Sequence, residues 1–161
     1  MIIFDVFAAG PIETNTVLIG CPKTHHALLI DCPSECATWV EKRLKALGLH
    51  LDLILLTHSH WDHIADAAKL KKIFKVPIWV HAEDALNVEK PGSDRLPLYF
   101  PIEGVKPDGA LVDGQAIKVG EISIKVIHTP GHTPGSVCFY LPDEGILVSG
   151  DTLFRGTMGR L

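Results

Sequence analysis

The residues best suited to chemistry crowd into one short run. His58, His60, Asp62 and His63 fall within six positions, directly after the apolar stretch 51–56. With 9 His and 11 Asp among 161 residues, a His-x-His-x-Asp-His run arises by chance with a probability of about 0.002, so coincidence is a poor explanation. His58 and His60 are two apart, and in an extended segment both side chains then leave the same face and converge on one ion. Asp62 and His63 open the helix that follows and can serve a second ion beside the first. Neutral imidazole and carboxylate suit Zn²⁺, Fe²⁺ or Mn²⁺, and no cysteine stands close enough in sequence to complete a closed structural zinc site. The run therefore predicts an open, reactive metal centre.

The same device recurs later in the chain. A strand-like segment at 122–127 runs into His128-Thr129-Pro130-Gly131-His132-Thr133-Pro134-Gly135, and an apolar segment at 146–148 runs into Ser149-Gly150-Asp151. Ligands in α/β architectures collect outside the carboxyl ends of strands, so His58, His60, His132 and Asp151 are expected at one rim. Alone, His132 would read as a turn histidine between prolines and Asp151 as a cap after Gly150. Beside the 58–63 run, the ligand reading prevails for both.

These three motifs, in this order, resemble the metallo-β-lactamase superfamily. The wording of 128–133 and of Gly150-Asp151-Thr152-Leu153-Phe154-Arg155-Gly156-Thr157-Met158-Gly159-Arg160 is more similar to its glyoxalase II (hydroxyacylglutathione hydrolase) branch. Gly10-Pro11-Ile12-Glu13-Thr14-Asn15-Thr16 resembles the family's opening hairpin, and Leu29-Ile30-Asp31 the strand end whose aspartate sits behind the metals. The resemblance implies an αββα sandwich and a first ion held by His58, His60 and His132. It implies a second ion on Asp62 and His63, with Asp151 bridging both. Asp31 and His128 are expected to support the ligands from behind, while His25, His26, His50 and His81 read as surface or strand-end residues.

Family members run on beyond the equivalent of Arg160 and supply one further histidine to the second ion, whereas this sequence stops at Leu161. The resemblance thus implies a sandwich truncated at its C-terminal end, a first ion that outlasts the second, and a strand edge left open. Such an edge, with apolar surface beside it, predicts self-association or poor solubility.

Length and composition frame this reading. A chain of 161 residues that is 47% apolar fits a single domain, 1–161, with a sizeable core. No uncharged apolar run is long enough to span a bilayer and the N-terminus lacks a signal-like pattern, so no membrane partner is expected and the chain reads as cytoplasmic. Cys21, Cys32, Cys36 and Cys138 form no CxxC pair and read as reduced packing residues. A net charge of −4, with basic residues clustered only at Lys69, Lys71, Lys72 and Lys75, gives no footprint for nucleic acid.

The elements that must position the site alternate in type. Ser34 is expected to cap a helix whose Ala37, Val40, Leu44 and Leu47 follow helical spacing, with Gly48 as the stop. Residues 51–56 read as a buried strand, and Ile64, Ala67, Ala68 and Phe74 as a second helix starting at the metal motif. The lysine cluster then lies near that helix's negative end, where the dipole favours it. Residues 76–80 read as another strand, and 90–107, with prolines at 91, 97, 101 and 107, as a long loop. Its Tyr99 and Phe100 either line a substrate mouth or tuck the loop onto the core.

Such a centre suits hydrolysis of a small-molecule substrate. A dication lowers the pKa of a bound water to about 7 and polarises a carbonyl, so no side-chain nucleophile is needed. The sequence offers no GxSxG elbow, and Asp62 is the candidate to orient the attacking water or take its proton. A thioester fits this machinery because its thiolate, with a parent pKa of about 8.5, leaves without a strong general acid. The glyoxalase II resemblance likewise implies an S-acyl-glutathione substrate and Zn²⁺, with Fe or Mn as substitutes. Arg155 and Arg160 are candidate partners for a substrate carboxylate, or merely solvate the chain end. Two other readings remain. One is an oxidoreductase similar to persulfide dioxygenases, with one iron on His58, His132 and Asp151. The other is a truncated, inactive metal-binding domain.

Overall fold

The computed structural model describes residues 1–161. The chain opens as an antiparallel meander of β1 (Ile3–Ala9), β2 (Thr14–Cys21) and β3 (His26–Ile30). Helix α1 (Cys36–Leu47) crosses to β4 (His50–Leu55), which lies parallel to β3. Two short helices, α2 (Trp61–Ile64) and α3 (Ala67–Phe74), lead to parallel β5 (Ile78–His81). Helix α4 (Ala85–Glu89) and a long coil then reach β6 (Gly109–Leu111), which completes a six-stranded sheet ordered β1-β2-β3-β4-β5-β6. A second, antiparallel sheet follows, built from β7 (Ala116–Val119), β8 (Ile122–His128), β9 (Val137–Leu141) and β10 (Ile146–Val148) in the order β10-β9-β8-β7. A small hairpin, β11 (Leu153–Phe154) with β12 (Thr157–Met158), ends the chain.

Side-chain alternation along the central strands divides the core in two. Leu29 on β3 and Ile54 on β4 face the helices and pack with Val40, Leu44, Ile64 and Leu70. Leu28, Ile30, Leu53 and Leu55 point the other way, into a core shared with Ile122, Ile124, Val126 and Phe139 of the second sheet. A strand buried on both faces must be apolar at nearly every position, which is why 51–56 shows no polar alternation. In β8, by contrast, Ile122, Ile124 and Val126 are buried while Lys125 is exposed, so this sheet buries only one face. Within residues 1–161 the layers are helix, sheet and sheet. No helix here covers the outer face of the second sheet, the layer that would complete αββα.

Two local expectations are corrected. Ser34 does not cap α1: the cap position is Glu35, held at φ 70°, and its side chain makes no cap bond. The first-turn N–H of Ala37 instead donates to the carboxylate of Asp66, 3.0 Å away, which arrives from the start of α3. The helix expected from the metal motif is likewise two pieces, because Asp66 breaks the run and its own N–H donates to Cys32 O at 2.9 Å. Gly48 does end α1, at φ 64°.

The lysines of α3 have partners as well as a dipole. Lys71 lies 2.6 Å from Asp108 and Lys72 pairs with Glu103, tying the long coil to the helix. Exposed pairs of this kind contribute about 0–1 kcal/mol. A firmer anchor is Asp108 itself, which accepts the Ile78 N–H at 2.9 Å. All four cysteines are free and buried, and burial raises the thiols of Cys32 and Cys36 far from ionisation. No helix is long and apolar enough to cross a membrane.

Removing the Asp66 carboxylate leaves a buried helix N–H without a partner. Asp66→Ala should lower the unfolding free energy of the metal-free chain by about 1–3 kcal/mol, read from urea denaturation. A change below a few tenths would show that water replaces this cap.

Candidate metal centre

Four strand ends build the site. β4 delivers Thr57 and His58, the turn after β8 delivers His132, and the turn after β10 delivers Asp151. β5 delivers Asp84, which the sequence reading did not single out. The ligand-type atoms of His58, His60, His132 and Asp151 lie within 4.8 Å of one another, and so do those of Asp62, His63 and Asp151. All six residues singled out from the sequence thus meet at one rim.

Hydrogen bonds fix which nitrogen of each ring faces the centre. The Thr57 hydroxyl donates to Asp31 Oδ2 at 2.7 Å, so it can only accept from His58 Nδ1, 2.9 Å away. His63 Nδ1 donates to the same Asp31 oxygen at 2.8 Å. His132 Nδ1 faces the Arg160 carbonyl at 2.8 Å, which also can only accept. In all three rings Nδ1 is therefore protonated and Nε2 points inward. Nε2 of His58, His63 and His132 is buried without a hydrogen-bond partner. An orphaned buried polar atom costs about 1–3 kcal/mol, and these three face the two adjacent ligand groups that share Asp151, an arrangement that fits divalent ions, with the Nδ1 bonds setting ring orientation as is usual behind metal-ligating histidines.

Asp151 stands between the two groups. Its Oδ2 is 3.4 Å from His132 Nε2 and 3.7 Å from His58 Nε2, while Oδ1 is 3.3 Å from His63 Nε2. Asp62 Oδ2, 3.3 Å from His63 Nε2, is held from behind by the Thr14 hydroxyl at 2.6 Å. Neither carboxylate makes a well-directed hydrogen bond to His63 Nε2.

The electrostatics separate the two halves. Burial, and then the neighbouring imidazoles, hold His58 well below the usual histidine range and His60 below it. Both are neutral near pH 7, as ligands must be. Burial also opposes charge on His63, but Asp31, Asp151 and Asp62 outweigh it and raise its pKa to about 10. Burial would raise Asp151, yet the positive His63 and the other imidazoles bring it below the ordinary carboxylate value.

Asp31 lies directly behind the centre, bonded to Thr57 and His63. His128 touches none of the candidate ligands: its Nε2 meets the Pro134 carbonyl at 3.0 Å and its ring stacks on His81 at 4.1 Å. It braces the turn that carries His132. Arg155 lines a cleft on the Asp62, His63 and Asp151 side, and Arg160 one on the His60 and His132 side. Tyr99 and Phe100 pack on Trp61, inside the metal motif, with ring centroids 5.0 and 5.6 Å away.

Asp84 holds the two ligand loops together. Its buried carboxylate accepts from the Ser59 N–H at 2.8 Å, the Gly135 N–H at 2.8 Å and the Thr133 hydroxyl at 2.9 Å. Gly135 must be glycine, since a Cβ there would sit 2.6 Å from Asp84 Oδ1. Gly150, at φ 52°, lets the Asp151 turn close on Thr57 in the same way. Asn87 ties the Ser59 loop to the long coil instead, donating to Ser59 O at 2.7 Å and accepting from the Gly92 and Asp94 N–H groups. The signal for Asp84 was present in the sequence: it follows an apolar strand, as His58 and Asp151 do.

The chain belongs to the Metallo-beta-lactamase superfamily, whose family profile matches residues 9–161, and it is a metal-dependent hydrolase of that superfamily. It is 37% identical over 145 residues to the hydroxyacylglutathione hydrolase of Brucella ovis. That match covers 90% of this chain and 49% of the relative, so the chain spans about half of that enzyme's length. Among solved structures, the BLEG-1 B3 metallo-beta-lactamase is 35% identical with a TM-score of 0.87, covering 98% of this chain and 76% of that one. TTHA1623 in a di-iron-bound form is 31% identical with a TM-score of 0.80, covering 97% and 76%.

Two outcomes follow from this geometry. In the metal-free chain His63 is raised from 6.5 to about 10, so its contribution to stability is complete below pH 6.5 and is lost as pH rises through about 10. An ion bound by His63 must displace that proton, so its affinity should climb over the same window. Calorimetry at pH 7 in buffers of different ionisation enthalpy should register the released proton, and its absence would contradict the assignment of His63. Asp84→Ala should weaken ion binding by about 10–100-fold in chelator competition, whereas unchanged affinity would show that the two loops hold themselves.

Proposed function

We propose that the chain hydrolyses thioesters of the S-acyl-glutathione type. The observation that carries this reading is the convergence of three partnerless Nε2 atoms with Asp151 beside Asp62, a carboxylate fixed by Thr14 at the mouth of a cleft. The similarity to a hydroxyacylglutathione hydrolase supports the substrate class. His58, His60, His132 and Asp151 would hold one divalent ion, and Asp62, His63 and Asp151 a second. Zinc is the ion proposed, with iron or manganese as substitutes. When bound, such an ion lowers the pKa of water and polarises a carbonyl.

The chain's own residues do the rest. Asp62 lies where it can orient the attacking water and accept its proton. Water's oxygen adds to the thioester carbon, the C–S bond breaks, and the products are a carboxylic acid and a thiol. Arg155, which lines the cleft beside Asp62, would receive a carboxylate of the thiol moiety, and Arg160 would do so on the His60 side. The alternative, persulfide oxidation at a single iron, would use His58, His132 and Asp151, and is supported by the likeness to ETHE1 from Myxococcus xanthus, 26% identical with a TM-score of 0.78 over 98% of this chain and 61% of that one.

We also propose that the chain self-associates through the open edge at β10. Leu147 is 43% exposed there, and Leu153, Phe154 and Met158 nearby are about half exposed. Sedimentation should show concentration-dependent association, and a monomer across the micromolar range would contradict it.

Asp62→Asn should cut thioester turnover by about 10²–10⁴-fold while lowering bound ion on the His58 side far less. Equal losses of metal and turnover would reduce Asp62 to a ligand alone. Oxygen consumption with a persulfide, and no thioester cleavage, would establish the iron reading instead.

A further inference from the structure

His26 and His50 are register partners on the parallel strands β3 and β4. Asp52 follows two residues along β4, so it shares a face with His50, repeating the spacing of His58 and His60. His26 Nδ1 lies 2.8 Å from Asp52 Oδ2, and His50 Nδ1 lies 2.8 Å from Asp52 Oδ1. The two rings meet edge to face with centroids 5.9 Å apart, and ligand-type atoms of all three residues lie within 4.8 Å of one another. The metal centre sits outside the carboxyl ends of these strands and this cluster at their amino ends, roughly 20 Å away for a strand rising about 3.4 Å per residue.

Three features make this more than a surface ion pair. The donor set of two imidazoles and one carboxylate suits a borderline divalent ion better than Ca²⁺ or Mg²⁺. The backbone that carries it is fixed: His26 is paired across to Cys21 of β2, and the His50 N–H donates to the His25 carbonyl at 2.8 Å. The spacing is also close to what an ion needs. Ligand atoms on a tetrahedral ion with bonds of about 2.0 Å stand about 3.3 Å apart, and here each Nδ1 lies 2.8 Å from a carboxylate oxygen with all three ligand atoms within 4.8 Å of one another, so side-chain rotations alone bring them onto an ion. His50, with a side chain 74% exposed, leaves the remaining coordination positions to water.

We propose that His26, His50 and Asp52 form a separate, solvent-open binding site for a divalent transition ion of the zinc class. Occupied, it links the starts of β3 and β4, the strands whose far ends carry Asp31 and the Thr57-His58 pair. It is weaker than the central site and independent of thioester chemistry, so its fate does not depend on the proposed reaction.

Zinc chloride titrated into the full chain, with calorimetry and imidazole NMR read in parallel, tests this. Beyond the tightly held ions, one further equivalent should bind and shift the ring signals of His26 and His50. His50→Gln and Asp52→Asn should each weaken that equivalent at least tenfold and leave the tight ions and hydrolysis unchanged. If the extra equivalent bound equally well in both variants, or the two ring signals did not move at zinc saturation, Asp52 would be only a shared hydrogen-bond acceptor and the proposal would fail.

Discussion

The carboxylate of Asp31, buried at the end of β3, receives the Thr57 N–H, the Thr57 hydroxyl and His63 Nδ1 at 2.7–2.8 Å. One side chain thereby joins β3, β4 and α2, and its own carbonyl accepts the Thr16 hydroxyl of β2 at 2.7 Å. The residue sits at φ 64°, a conformation that costs a non-glycine residue about 1–3 kcal/mol and persists only where its surroundings over-determine it. Those bonds supply that over-determination. They also set the chemistry: through Thr57, Asp31 dictates the tautomer of His58, and directly that of His63. Without it, neither Nε2 would be obliged to face the centre.

The fold concentrates a cost at this place. Buried polar atoms are ordinarily partnered, yet three imidazole nitrogens here have none. The two apolar cores on either face of the six-stranded sheet hold the strands rigidly enough to keep these atoms converging despite that cost. Asp84 performs the corresponding task across the cleft, since it ties the Ser59 loop to the Thr133–Gly135 turn. The candidate ligands therefore need little rearrangement to meet an ion, which is what preorganisation means in structural terms.

Much of the site was legible in the sequence because ligand chemistry imposes residue types at fixed short spacings. His58, His60, Asp62, His63, His132 and Asp151 all belong to runs that follow apolar strands, and the structure gathers them. The nearly continuous apolarity of 51–56, broken only by Asp52, likewise announced a strand buried on both faces. What escaped rests on contacts between residues far apart in sequence. Asp66 caps α1 across 29 residues, displacing Ser34 from the expected role, and Thr14 steadies Asp62 across 48. Neither leaves a local period to read. His128 shows the reverse case: a position next to the ligand loop suggested a supporting bond to a ligand, but its ring braces Pro134 and stacks on His81 instead.

The partnerless Nε2 atoms and Asp151 are arranged to bind divalent ions. The most direct measurement is a crystal structure of the zinc-loaded chain with the ion located by anomalous scattering at the zinc edge. An anomalous peak is expected about 2.0–2.1 Å from Nε2 of His58 and His132, with His60 and Asp151 completing its protein ligands. A chain that takes up zinc but shows no peak there, or shows these rings turned to pair with protein groups, would contradict it.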